Sequence, residues 1–477
     1  MSSATQPKPA EPVHFIGVGG AGMSGIATVL AQLGVVVTGS DLKVSRYTRH
    51  VESCGVKVAI GHREENLGDA ALVVISSAIP ESNPELRAAR RRGLPVLQRA
   101  EMLARVMAMR RGIAVAGTHG KTTTSSLIAH VLYQCGKDPT FLVGGELNDI
   151  GSNAGVGQGE WLVAEADESD GSLLFLRPEV AVITNVELDH HANYRSLEDV
   201  REVFRRFVAL LPERGLLVLA DGRGTEFLRD LVTVPVVTYG LAHGDYVADV
   251  ERADDRGSAF DVRERGERLG RVELRVPGEH NVLNALAALA ALAHVGVAFE
   301  EAVPHLGTFS GAARRFQEIG RCDGIVVVDD YAHHPTEIAA TLKAAKAGTY
   351  RRVIAVFQPH LYSRTRYLQR EFGHALALAD EAIVTDIFAA REEPEPGVSG
   401  KLIVDAYLRE RPGGPVWYLP HLADVVAHLE KHVRSGDLVL TIGAGDVFKV
   451  GERLLGQLAA AAADGSEEPV TQAGLQR

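Results

Sequence analysis

The chain predicts an α/β fold in three domains. Short apolar runs such as Ile113-Ala114-Val115-Ala116 and Val180-Ala181-Val182-Ile183 alternate with stretches of helical period along most of the 477 residues. That rhythm belongs to parallel strands joined by crossover helices. Three separate strand–glycine–helix starts indicate three such units, which suits a chain of this length.

The first unit opens with Val13-His14-Phe15-Ile16, a glycine loop and a helix to about Leu33. Strands are expected at Val35-Val36-Val37 and Leu72-Val73-Val74-Ile75, and Pro95 and Arg110-Arg111 mark its end. The second starts at Ile113 and continues through Trp161-Leu162-Val163-Ala164 and Val180 to Ile183. Charged and apolar residues alternate from Asp249 to Val276, which predicts antiparallel hairpin strands. An Ala- and Leu-rich helix, Asn281 to about His294, follows. The third starts at Ile325-Val326-Val327-Val328 and adds runs at Val353, Ala382 and Leu438. The expected domains are 13–110, 111–312 and 313–458, between a disordered lead 1–12 and a disordered tail 459–477.

A net charge of −11 excludes nucleic acid or an anionic membrane surface as the main partner. It leaves room for a small anionic ligand held by local loops. No run approaches the roughly 18 apolar residues that span a bilayer, and Met1 to Pro12 lacks the apolar core of a signal peptide. Cys54, Cys135 and Cys322 form no CxxC pair and read as reduced thiols in a cytosolic protein.

Gly117-Thr118-His119-Gly120-Lys121-Thr122 lies between a buried strand and a helix that runs from Thr123 to about Gln134. Glycines let backbone N–H groups approach phosphate oxygens, and the helix N-terminus adds positive potential. The lysine reaches the β/γ-phosphates and the following hydroxyl holds Mg²⁺. Val115 stands where the full pattern has its first glycine, so this is the shorter GxxGK[ST] loop. Glu165, at a strand end in the run to Asp170, and His190, beyond another strand, are candidate metal ligands. Strand ends are where open α/β sheets bind ligands, and Mg²⁺ needs only one or two carboxylates besides phosphate.

Gly17-Val18-Gly19-Gly20-Ala21-Gly22 matches GxGxxG after a strand, and Asp41 follows the next strand, so a Rossmann-like first domain is expected. The loop requires a phosphate near a helix N-terminus. It does not distinguish NAD from a UDP-sugar, so a nicotinamide-dependent oxidoreductase and a regulatory nucleotide switch stand as alternatives.

These segments together resemble the Mur ligases of bacterial cell-wall synthesis, over roughly residues 13–450. The resemblance rests on His14 to Gly25, Gly117 to Thr124, Glu165 to Asp170 and His280-Asn281-Val282-Leu283-Asn284. It rests further on Arg314-Arg315-Phe316, Asp329 to Pro335 and Phe357-Gln358-Pro359-His360. It implies a UDP-substrate domain, a central P-loop ATPase-like domain with extra antiparallel strands, and a Rossmann-like C-terminal domain. It also implies a cytoplasmic bacterial enzyme of peptidoglycan synthesis, a monomer or weak homodimer. The enzyme so implied would join L-alanine to the lactyl carboxylate of UDP-N-acetylmuramate through an acyl phosphate, with ATP and two Mg²⁺ ions for which Mn²⁺ could substitute. A relative that attaches a recycled peptide is the nearest rival.

Carried over by motif, Gly117 to Thr123 with Lys121 would bind ATP phosphate. Thr122, Glu165 and His190 would hold metal, Asn281 and Asn284 would lie near adenine, Arg315 near phosphate and Asp330 near ribose. Gly19, Gly20, Ala21, Gly22, Asp41, Ser76, Ser77 and Ala78 would hold the UDP substrate. Tyr331, His333, His360 and Arg364 would surround the reacting carboxylate and alanine. Lys121, Glu165, His190 and Arg315 are the catalytic candidates. Residues 194–206 contain no lysine, where ligases that add later residues carry a carbamylated one, and Leu361 stands where some relatives have arginine.

Overall fold

Strand β1 (Val13–Ile16) is buried at all four positions, as a central parallel strand requires. It leads into α1 (Ala21–Gln32), β2 (Val37–Asp41), α2 (Arg46–Ser53), β3 (Lys57–Ile60), β4 (Leu72–Ile75), α3 (Pro84–Arg91), β5 (Val96–Gln98) and α4 (Arg99–Met107). The strands are parallel in the order β3-β2-β1-β4-β5, a Rossmann-like arrangement whose order reverses between β1 and β4. The second strand starts at Val37, opposite Val13, rather than at Val35, and Val36 is 60% exposed. An apolar run therefore extends beyond the paired segment. The computed structural model describes residues 11–191, 193–390 and 392–465.

Glu85, in the first turn of α3, is fully buried, which requires compensation of its charge. Its carboxylate accepts from the Ser40 hydroxyl (2.5 Å), the Asn66 amide (2.5 Å) and the Arg63 N–H (3.1 Å), and faces His14 Nε2 at 3.3 Å. Burial pushes its pKa up, but hydrogen bonding from His14, Ser40 and Asn66 outweighs that and holds it below the usual carboxylate range. A depressed folded-state pKa stabilises above the unfolded value, and this contribution is lost as pH falls through the folded value. Glu85→Ala is expected to destabilise the fold by about 3 kcal/mol in denaturant titration at neutral pH, since it strips a buried network of its acceptor. A smaller difference at acid than at neutral pH is expected. An equal loss at both would contradict the assignment.

The central sheet follows from β6 (Arg111–Ala116), α5 (Lys121–Gln134), β7 (Thr140–Leu147), β8 (Ser152–Gly155), β9 (Trp161–Glu165), β10 (Val180–Ile183), α6 (Leu197–Val208), β11 (Leu216–Ala220) and β12 (Val236–Gly240). Hairpin strands β13 (Tyr246–Asp254), β14 (Gly257–Glu264) and β15 (Glu267–Leu274) come next, then α7 (Glu279–His294) and α8 (Phe299–Leu306). Ten strands form one sheet, β15-β14-β13-β12-β11-β10-β6-β9-β7-β8, with β14 and β15 antiparallel. Alternation along β6 splits the core. Ile113 and Val115 pack with α5 and α7, while Ala114 and Ala116 join a cluster containing Phe15, Ile26, Leu103 and Phe204. One face of the central sheet thus shares its core with the N-terminal sheet. The described residues up to Ala253 and Gly257–Ala313 accordingly form one compact unit, and Asp254–Arg256 with the chain from Arg314 onward form a second.

The second unit contains β16 (Gln317–Cys322), β17 (Ile325–Asp330), α9 (Pro335–Lys346), β18 (Arg352–Phe357), α10 (Tyr362–Leu376), β19 (Glu381–Val384), α11 (Lys401–Glu410), β20 (Val416–Tyr418), α12 (Leu422–His432), β21 (Asp437–Ile442) and α13 (Phe448–Gly465). Its sheet order is β16-β17-β21-β18-β19-β20, parallel except for β16. Residues 459–465, expected within a disordered tail, continue α13 instead. Five successive alanines, the strongest helix formers, account for that. Residues 1–10 and 466–477, the rest of the expected lead and tail except positions 11 and 12, lie outside the described residues.

Candidate active site

The loop after β6 leaves the sheet where β6 lies between β10 and β9, a point of divergence at strand C-terminal ends. Helix α5 starts at Lys121, two residues earlier than the sequence suggested, with Gly120 as a left-handed N-cap. The hydroxyl-rich start is a poor helix former in isolation, and local bonds compensate. Ser125 donates to Lys121 O (2.9 Å) and Thr124 to Asn284 Oδ1 (3.1 Å). At Gly117, φ is +134° and an added Cβ would lie 2.1 Å from Thr184 Oγ1, so only glycine fits. Asn185 brackets His119: its Oδ1 accepts from His119 N and its Nδ2 donates to His119 O, both at 2.9 Å. Thr118 bonds Glu187, its hydroxyl accepting from Glu187 N at 2.9 Å.

Lys121 Nζ donates to Gly117 O (2.6 Å) and Thr118 O (3.1 Å) and lies 2.9 Å from Glu168 Oε2. Burial opposes its charge, but Glu168, Glu165 and Asp167 outweigh it and raise its pKa, so the ammonium persists through the neutral range. Asp167 shows the converse: burial pushes it up, and Lys121 and Ser169 bring it below the usual range. Thr122 donates to Glu165 Oε2 at 2.8 Å, and Gly144 N–H donates to the same oxygen at 2.8 Å. His190, left-handed at φ +55°, places Nε2 3.4 Å from Glu168 Oε1. Asn284 donates to Asn281 (3.0 Å), which donates to Pro277 O (2.7 Å). The sequence candidates from Gly117 to Thr123, Glu165, His190, Asn281 and Asn284 thus sit around one loop.

The first glycine loop reaches the same place. Ala21, Gly22, Arg99, Asn153, Gly144, Glu165 and Asp167 line a cavity of about 230 Å³. Arg99 faces Asp167 at 3.5 Å across it. Asp41 accepts from Gly19 N–H at 2.9 Å, so its carboxylate supports the loop itself. Ser76, Ser77 and Ala78 form the turn after β4, closed by Ile79 N–H to Ser76 O (3.1 Å).

The second unit gathers the remaining candidates. Arg315 lies 3.6 Å from Glu337 and over the Tyr331 ring (5.4 Å). Its twin Arg314 is structural: it bonds Asp329 (2.7 Å) and Gly443 O (2.7 Å). Asp330 accepts from Phe316 N (2.8 Å) and Ala332 N (2.7 Å), and burial, against the pull of Arg315, pushes its pKa up to about 6. The rings of Tyr331 and His333 are 5.6 Å apart, those of His333 and His360 6.0 Å, and Arg364 donates to His360 Nδ1 at 3.1 Å.

Family models match across both units: the Mur ligase family catalytic domain over residues 12–111, the Mur ligase middle domain over 115–292, and the Mur ligase glutamate ligase domain over 314–445. The chain belongs to the Mur ligase family. The UDP-N-acetylmuramate–L-alanine ligase of Rubrobacter xylanophilus is 55% identical, covering 94% of this chain and 100% of that protein. The one from Pelotomaculum thermopropionicum is 52% identical over 94% of this chain and 97% of its own length. The crystal structure of UDP-N-acetylmuramate–alanine ligase from Thermotoga maritima superposes with a TM-score of 0.81 at 31% identity, covering 94% of this chain and all of that one. The three-domain α/β architecture is that of the family. As a Mur ligase, the chain is ATP-dependent and uses Mg²⁺.

Sequence reasoning missed several residues of this Mur ligase's site. Glu168, 2% exposed, holds both Lys121 and His190, yet within the acidic run only Glu165 was singled out. Its place three residues on, beyond the strand end, was the available signal. Thr184 and Asn185 follow β10 directly, and a polar pair at a strand terminus beside a phosphate loop was a second signal. Gly144 and Arg99 gave none, since their proximity to Glu165 and Gly22 is purely tertiary.

Proposed function

We propose that this Mur ligase joins L-alanine to the lactyl carboxylate of UDP-N-acetylmuramate, splitting ATP to ADP and phosphate. The observation that carries it is the shared cavity, lined both by the N-terminal glycine loop at Ala21 and Gly22 and by Glu165 beside the ATP loop. A UDP-substrate whose pyrophosphate sits at the start of α1 extends its carboxylate toward the γ-phosphoryl group. Relatives named for L-alanine at 55% and 52% identity support the choice of amino acid. The murein peptide ligase of Psychrobacter arcticus, at 27% identity and TM-score 0.71, is less similar. An oxidoreductase leaves the Lys121–Glu168 and Thr122–Glu165 pairs without a role.

A carboxylate is a poor electrophile at neutral pH. Its oxygen takes the γ-phosphoryl group, ADP departs, and an acyl phosphate forms. The amine of alanine then attacks the acyl carbon, loses a proton, and expels phosphate with the original carboxylate oxygen. Lys121 offsets charge on the transferring group, and Arg315 is assigned the same task. The Thr122 hydroxyl and Glu165 carboxylate form an oxygen donor set that fits Mg²⁺, which supplies charge neutralisation at the phosphates. His190 and Glu168 would hold a second ion, and carboxylate oxygens, which suit Mn²⁺ as they suit Mg²⁺, would let Mn²⁺ substitute. Purified chain given ATP, Mg²⁺ and UDP-N-acetylmuramate should release phosphate only when L-alanine is added, and the product should gain one alanyl residue by mass. Release with a peptide but not with alanine would transfer the chain to the peptide-attaching branch.

A further inference from the structure

The backbone at Leu361 has φ +72° and ψ +137°, a region that glycine populates and a leucine avoids. Such outliers persist where their surroundings over-determine them, and they concentrate at functional positions. Here the surroundings are Phe388. Leu361 N–H donates to Phe388 O (3.0 Å), and Phe388 N–H donates to Pro359 O (2.8 Å), which brackets His360 in a single bridge. The Phe388 ring lies nearly parallel to the His360 imidazole, 14° from coplanar with centroids 6.0 Å apart. A second attachment follows at Glu392, which accepts from Ser363 N–H (2.9 Å) and the Ser363 hydroxyl (2.5 Å). The chain after β19 therefore clasps the turn that carries His360 and Arg364.

The imidazole is also fixed in its proton. Arg364 can only donate, so its bond to His360 Nδ1 makes that nitrogen the acceptor. The neutral ring then carries its hydrogen on Nε2, which suits a carboxylate.

We propose that Phe388 is a positioning residue for the amino-acid site: its ring and backbone hold His360 so that Nε2–H meets the α-carboxylate of the incoming amino acid. This rests on the reading that His360 lies in that site. Phe388 is 36% exposed, so its truncation leaves the core of the unit in place.

Steady-state kinetics test it. In Phe388→Ala the KM for L-alanine should rise about tenfold, near the upper limit for one aromatic contact. The KM values for ATP and UDP-N-acetylmuramate should hold, and Phe388→Tyr should restore the parent value. Phe388→Leu, which keeps apolar bulk without a flat ring, should fall between them and guards against misfolding of the alanine variant. A KM for alanine that stays within twofold in both the alanine and leucine variants, or a parallel rise for all three substrates, overturns the proposal. His360→Ala separates the levels. If it raises the KM for alanine while Phe388→Ala does not, the clasp is wrong and the site assignment stands. If His360→Ala also leaves it unmoved, the assignment fails and the proposal with it.

Discussion

Lys121→Ala is expected to lower kcat by roughly 10²–10³ or more, the usual effect of deleting a charge that acts on a transition state. The structure supplies the reason for a large effect. Nζ is buried among loop carbonyls, and Glu168, Glu165 and Asp167 keep it protonated, so the substitution removes a standing positive charge from the loop itself. Far-UV circular dichroism should be unchanged. Thermal stability should drop, because Glu168, 2% exposed, loses a partner 2.9 Å away. Combining Lys121→Met with Glu168→Gln should recover stability, which traces the stability loss to the stranded Glu168 carboxylate. A folded Lys121→Ala protein that turns over near the parent rate would remove the loop from the phosphoryl-transfer site.

Much of this site was legible in the sequence because loop chemistry is local. A glycine that must lie against a strand, a lysine at a helix start and the following hydroxyl fall within six residues, Gly117 to Thr122, and their spacing survives folding unchanged. Strand ends were legible for the same reason, and they yielded Glu165 and His190. What the pattern could not carry was pairing across the chain. Asn185 is 66 residues from His119, and Glu168 is 47 from Lys121, yet both decide how the loop is held. The two adjacent arginines illustrate the limit. Only the fold shows Arg314 tied to Asp329 and Gly443, while Arg315 turns to Glu337. The early start assigned to β2 failed because hydrophobicity reports burial poorly at an exposed valine, whereas the pairing of Val37 with Val13 sets the strand. The stretch 459–465 was misread on composition, since a run of alanine with a few polar residues satisfies both a disordered tail and a helix.

The second large effect is expected at a residue with no side chain. Gly144, near the middle of β7, donates its N–H to Glu165 Oε2 at 2.8 Å, the oxygen that also accepts from Thr122. A Cβ at this position would lie 2.2 Å from Glu165 Oε2 and 2.8 Å from Thr122 Oγ1. Glu165 is the group that must move, because the strand backbone is fixed by its neighbours and a carboxylate can rotate. In Gly144→Ala the Thr122–Glu165 pair therefore opens, and the oxygen set assigned to Mg²⁺ loses its geometry. Disturbing the support of metal ligands typically costs 10–100-fold in metal affinity. The Mg²⁺ concentration giving half-maximal velocity should accordingly rise by about that factor, and kcat at saturating Mg²⁺ should fall. Stability should change by only about 1 kcal/mol, since the clash falls on a half-exposed side chain. The neighbouring Gly145→Ala is the milder comparison: its Cβ would press only on the Thr122 methyl, at 3.2 Å, and should shift the Mg²⁺ dependence far less than Gly144→Ala. Glu165→Gln should reproduce the Gly144→Ala phenotype, and combining the two should add little, because both act on one oxygen. If Gly144→Ala keeps the parent Mg²⁺ dependence while Glu165→Gln loses it, the ligand is right but its support is not Gly144. If both keep it, Glu165 holds no ion.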